Sequence, residues 1–123
     1  MKIIFTLLTL ILFFGCSKSE VDELSLNSWD GLWEDGTGFW LRIRVEDEEL
    51  HFSRSGEQPD SPTKFTLQSI SEDFKTVEVI EKSDYVNYLH TLKLQSATKL
   101  QRDSFDLDNK KLWGSDSLTK KKN

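Results

Sequence analysis

Between residues 28 and 114 the apolar side chains recur at every second position, and no other feature constrains the fold as tightly. In Phe39-Trp40-Leu41-Arg42-Ile43-Arg44-Val45 the odd positions are all apolar, while the even ones carry Trp and two Arg. That alternation marks a strand with one buried face. Four acids, Glu46-Asp47-Glu48-Glu49, make a turn, after which Leu50-His51-Phe52-Ser53-Arg54 resumes the pattern. Gly56, Pro59 and Pro62 mark residues 55–62 as a loop. Residues 63–68 alternate again with Phe65 and Leu67 inward, and residues 75–81 follow a further turn. The run from Tyr85 to Gln95 changes phase partway, which predicts a bulge near Leu89-His90. A short strand over 98–102 and a hairpin holding Phe105, Leu107, Leu112 and Trp113 complete the series. Ahead of them all, Leu32-Trp33-Glu34 pairs back through the turn at 35–38.

About eight short strands result, with no helical period and no connection long enough for parallel pairing. The expected fold is all-β: a small antiparallel meander that curls into a barrel or strongly bent sheet to shield its edges. With strands this short, side chains should fill the interior.

The N-terminus reads differently. After Lys2, residues 3–14 are uncharged and mostly apolar, followed by Gly15-Cys16 and then Ser17-Lys18-Ser19-Glu20. The run is shorter than the roughly 20 residues a membrane-spanning helix needs, and matches a secretory signal peptide. Phe13-Phe14-Gly15-Cys16 resembles the lipobox of bacterial lipoprotein precursors, with Phe13 in place of the usual Leu and Phe14 in place of a small residue. The resemblance implies a signal helix removed at residue 15 and a Cys16 thiol converted to a diacylglycerol thioether. Acyl chains on Cys16 would then hold the protein to a membrane, two chains giving stable anchoring. The location implied is the bacterial cell envelope. If the host is Gram-negative, Ser17, in a place where Asp retains cargo at the inner membrane, resembles outer-membrane cargo.

The chain thus divides into a signal peptide (1–15), a lipidated cysteine with a flexible tether (16–27), a β domain (28–114) and a disordered basic tail (115–123). With 123 residues there is room for one domain. The 16 Lys and Arg, less Lys2, against 21 Asp and Glu leave the mature chain at −6, which argues against nucleic acid as a partner. A single cysteine excludes a disulfide scaffold and a cysteine-built zinc site. Once acylated, it also leaves no thiol for redox or nucleophilic chemistry.

Gly31-Leu32-Trp33 resembles the Gly-x-Trp signature of lipocalins and other calycins. The resemblance implies a calycin-like barrel in which Trp33 plugs the closed end and a late arginine, Arg102 by position, packs over it. On the neighbouring strand, Trp40, Arg42 and Arg44 share one side at steps of about 7 Å. Cations beside an indole suit a glycan or an acidic protein partner. The same residues are equally read as surface packing, with both arginines paired to acids such as Glu48 or Glu49.

The histidines, His51 and His90, fall on separate strands, and His90 shares a phase with Tyr88, Leu92 and Leu94, as a packed, hydrogen-bonded side chain would. Neither Glu46–Glu49 nor Asp103, Asp106, Asp108 and Asn109 has the spacing and glycine of a calcium loop. No metal, cofactor or catalytic constellation is implied, so the chain reads as a monomeric, non-catalytic binding domain for an envelope protein or glycan. The alternative is a lipocalin-like carrier of a small hydrophobic ligand.

Overall fold

The computed structural model describes residues 24–57 and 59–122. The expected signal peptide, Cys16 and the first part of the expected tether lie outside the described residues. A single 3-10 turn, Leu26–Trp29, leads into eight strands: β1 (Gly31–Glu34), β2 (Trp40–Glu46), β3 (Glu49–Arg54), β4 (Lys64–Ile70), β5 (Thr76–Lys82), β6 (Asn87–Ser96), β7 (Lys99–Asp106) and β8 (Lys111–Lys120). They form one antiparallel sheet in the order β3-β2-β1-β8-β7-β6-β5-β4. Each strand pairs with its sequence neighbour except across one seam, and β8 returns to β1 through the rungs Trp33↔Lys120 and Glu34↔Thr119.

The meander therefore closes into a barrel with its seam between β3 and β4, which touch without a hydrogen-bonded ladder. Unpaired edges invite other strands, and here side chains cover them. Phe52 of β3 meets Phe65 of β4 with ring centroids 5.7 Å apart. Above them Arg54 Nη1 donates to Glu81 Oε2 at 2.6 Å, from β3 across to β5.

Inward alternation builds the core. Leu41 and Ile43 of β2, Val77 and Val79 of β5, Leu92 and Leu94 of β6, Leu100 of β7 and Leu118 of β8 are all buried. Two fully buried indoles close one end. Trp33 Nε1 donates to the Trp29 carbonyl at 3.0 Å, and Trp29 Nε1 donates to the Phe74 carbonyl at 2.8 Å. Phe74 sits at φ 60, a costly conformation for a bulky residue, and that indole bond helps to hold it there. Between β2 and β3, Asp47 and Glu48 take φ 52 and 64. Two successive left-handed residues make the tight hairpin whose twist suits paired strands.

Four expectations are corrected. The strand expected over 98–102 runs on through Asp106, and what was expected to be a disordered tail, as far as residue 120, lies in β8. Both were hidden because inward positions there are polar: Arg102 and Ser104 on β7, Asp116 on β8. The domain starts before residue 28, since Leu24 and Leu26 of the expected tether pack on the core. The bulge expected at Leu89-His90 is absent, and β6 pairs with β5 without interruption from Asn87 to Lys93. Tyr85 and Val86 precede the strand in a turn, so their phase never belonged to it. Register shifts fall instead at Leu67/Ser69, Leu94/Ser96 and Ser104/Phe105.

Candidate functional site

Opposite the tryptophan plug the barrel opens into a cavity of about 390 Å³, within the range of small-ligand sites. Below it, the packed interior leaves about 10 Å³, room for one water at most. The strands deliver unusual residues here. Along β5 the inward series Val77, Val79 continues to Glu81, 1% exposed. Along β6, Leu94 and Leu92 give way to His90, and on β7 Leu100 gives way to Ser104. Charged and polar groups are seldom so deeply buried unless paired.

They are paired. His90 Nε2 lies 2.6 Å from Glu81 Oε1, and His90 Nδ1 lies 2.8 Å from Ser104 Oγ. An ionised carboxylate only accepts, so Nε2 carries a proton towards Glu81. The second Glu81 oxygen accepts from Arg54, whose Nε donates to the Ser55 carbonyl at 2.8 Å. Next to this group, Arg102 donates from Nε and Nη2 to the two oxygens of Asp116 at 2.9 and 2.8 Å, a bidentate pair that fixes both side chains. The Phe39 ring lies under both guanidiniums, with their carbons 5.0 Å (Arg54) and 4.3 Å (Arg102) from its centroid. On the opposite wall, Tyr88 stacks tilted on Trp113 at 5.6 Å and meets His90 edge-on at 5.9 Å.

Burial alone would raise the Glu81 carboxyl, but the hydrogen bond from His90 and the charge of Arg54 outweigh it and hold it below the ordinary value. Tyr88 is pushed up, first by burial and then by the charges of Asp106 and Glu81, so its hydroxyl stays a donor. The Glu81 shift has a measurable consequence. Below about pH 4.3, the usual glutamate value, the unfolded chain takes up the proton more readily than the native one, so acid favours unfolding. Stability from this carboxylate is complete above that pH and lost as pH falls through the native value. Thermal midpoints followed from pH 6 to 3 should drop, and Glu81→Gln should shallow the drop. An equally steep fall in the variant would show that the other carboxylates carry it all.

Trp33 is fully buried at the closed end. The cation over its ring is Lys120 Nζ, at 5.1 Å, whereas Arg102, expected there, lies over Phe39 in the mouth. The Lys120 stem passes so close to Gly31 that a Cβ there would stand 3.0 Å from its Cε. Trp40, Arg42 and Arg44 do share the outer face of β2, with Trp40 half-buried and both arginines exposed. Arg44 pairs with Glu46 rather than with Glu48 or Glu49. His51, also outside, lies 4.0 Å from Glu46 and Glu49. None of these residues lines the mouth. Asp106 caps its own turn, accepting from the Asp108 and Asn109 amides at 3.0 and 3.1 Å. Among the described residues no group of three or more His, Cys, Asp or Glu could hold a metal ion.

Sequence reading missed Arg54, Glu81, Ser104 and Asp116 as site residues, and Tyr88 and Trp113 as a stacked pair. The available signal was polar residues at the inward phase of otherwise apolar strands. A larger depression, about 870 Å³, lies at the closed end among Leu26, Val45, Ile70 and Phe74. It lacks the buried charges that distinguish the mouth.

No family of known proteins matches the chain, and no curated protein does. Among solved structures, the crystal structure of pallilysin from Treponema pallidum is similar to it at 16% identity and a TM-score of 0.50, over 98% of this chain and 97% of that one. At that identity the likeness concerns the fold alone.

Proposed function

We propose that the protein is a lipid-anchored domain of the bacterial envelope that binds a partner, without chemistry, in the open mouth of its barrel. The mouth cavity itself carries this reading: a fixed, charge-paired polar floor beside exposed aromatic surface, on a rigid barrel. Preorganised polar groups next to apolar walls are what small-ligand sites share. Trp113 is 62% exposed and Tyr85, nearby on the rim, 77%.

The order Glu81–His90–Ser104 follows that of a hydrolase relay, but its serine is 3% exposed and its carboxylate is shared with Arg54. Such a chain positions the imidazole instead of freeing a nucleophile. An apolar cargo fits poorly, since it would strip water from Arg54 and Asp116 and return no hydrogen bonds.

Anchoring through Cys16 suits this orientation. Leu24 packs at the closed end with the 3-10 turn, and the eight residues from Cys16 to Leu24 span at most about 28 Å. The plugged end would then face the bilayer and the mouth would face away from it.

A photoreactive residue placed at Trp113 or at Trp40, in cells making the full chain, tests the proposal. Crosslinks should form from position 113 and be lost with Tyr88→Ala, with little yield from position 40. Dominant yield from position 40 would return the function to the outer face of β2. Cys16→Ser should move the protein from the membrane to the soluble fraction, and unchanged membrane recovery would remove the anchor.

A further inference from the structure

We propose that the mouth receives the neutral end of a carbohydrate, one or two uncharged sugar rings. This rests on the reading of the mouth as the binding seat and adds the class of ligand.

Charge balance is the first argument. Both arginines in the cavity are already neutralised, Arg54 by Glu81 and Arg102 by Asp116, and the Asp35 carboxylate lies close enough to feel Arg102. An anionic ligand would have to displace a bonded carboxylate and then face it. A purely cationic ligand would meet two guanidiniums, and the carboxylates near them are engaged, Glu81 and Asp116 by the arginines and one Asp35 oxygen by Thr37. A neutral polyol faces neither obstacle: the bidentate Arg102–Asp116 pair, with Asp116 partly exposed, and the partly exposed Arg54 guanidinium still offer donors and acceptors to hydroxyls, while buried Glu81 stays occupied by Arg54 and His90. Hydrogen bonds to charged groups are also the stronger kind.

The aromatic wall is the second argument. The face of a pyranose carries several C–H bonds with slight positive charge, which favour the electron-rich face of an indole. Trp113, stacked on Tyr88 and exposed on its other side, supplies that face next to the polar floor. The Tyr88 hydroxyl, kept protonated, adds a donor. A cavity of about 390 Å³ is too small for a folded partner and suits the tip of a chain.

The test titrates the mature protein with cellobiose, maltose, lactose and N,N′-diacetylchitobiose, following tryptophan emission and calorimetry. Sialyllactose serves as the anionic counterpart of lactose, and the tripeptide Gly-Lys-Gly as the peptide probe. At least one neutral disaccharide should saturate. Trp113→Ala should weaken it about tenfold with the thermal midpoint nearly unchanged, Trp113→Phe should restore most of the affinity, and Trp40→Ala should leave it intact. The proposal is overturned if no neutral disaccharide saturates, if sialyllactose binds more tightly than lactose, or if Trp113→Ala has no effect. Binding of the tripeptide alone, lost with Trp113→Ala, would overturn the sugar class and keep the mouth as the seat. Crosslinking from position 113 with all four sugars inert would have the same meaning.

Discussion

Ending the chain after Gly114 is expected to abolish cooperative thermal unfolding, although only nine residues are lost. Six of them, 115–120, belong to β8. Their removal takes away fully buried Leu118, the Asp116 partner of Arg102, and both rungs that join β8 to β1. Deleting a buried leucine side chain alone costs about 2–5 kcal/mol, against a total stability for such domains of about 5–15 kcal/mol. Loss of closure adds a second open seam, and Lys120 no longer reaches the Ser28 carbonyl and the Trp33 ring. Near-ultraviolet circular dichroism should show no tertiary signal and no sharp melt. Ending the chain after Lys121 should change nothing, because the Lys121 amide still donates to the Leu32 carbonyl at 2.8 Å. A normal melt from the shorter chain would mean that residues 115–120 are the loose tail their composition suggests.

The second large effect is expected at Arg54. Replacing it with Met leaves Glu81, almost wholly buried, without its guanidinium partner. Removing one member of a buried pair costs about 3–5 kcal/mol when the other charge is stranded. Arg54 itself is 27% exposed and His90 still bonds Glu81, so about 3 kcal/mol is expected, a fall of roughly 12–24 °C in a domain of this size. Adding Glu81→Gln to that variant should recover more than half of the loss, because the amide keeps a hydrogen-bonding oxygen for His90 without a charge to bury. Arg54 also spans the β3–β4 seam, so the single variant should bind edge-seeking dyes that the wild type ignores. Equal losses in the single and double variants would show that Arg54 acts by packing on Phe39.

These two sites also show what a sequence can and cannot disclose about this fold. Where inward residues are apolar, as in Leu41, Ile43 and Val45 or Val77 and Val79, the period of two was plain, and the eight-stranded antiparallel barrel followed from it. Where the cavity needs polar groups, the same pattern broke. Ser104 interrupts the apolar alternation of β7, and Asp116 gives β8 the composition of a solvated tail. Alternation reports only the contrast between a dry face and a wet one, so it fails where a barrel's interior is itself polar. The polar mouth is thus assembled where the sequence reads worst. Trp40, Arg42 and Arg44 drew attention for the opposite reason. Aromatic and cationic residues on a clean alternating strand are conspicuous, yet they lie on the outside of β2, while the residues that converge come from β3, β5, β6, β7 and β8 and are close only after the chain has closed.

Hydrogen–deuterium exchange on the full chain, compared between extracts of the cells that make it and the purified state, would test most directly whether the mouth is the working end. Binding there should slow exchange in peptides covering 83–90 and 107–114, while those covering 26–31 and 71–75 at the closed end exchange as before. Slowing confined to 40–49, with the mouth peptides unchanged, would contradict the account.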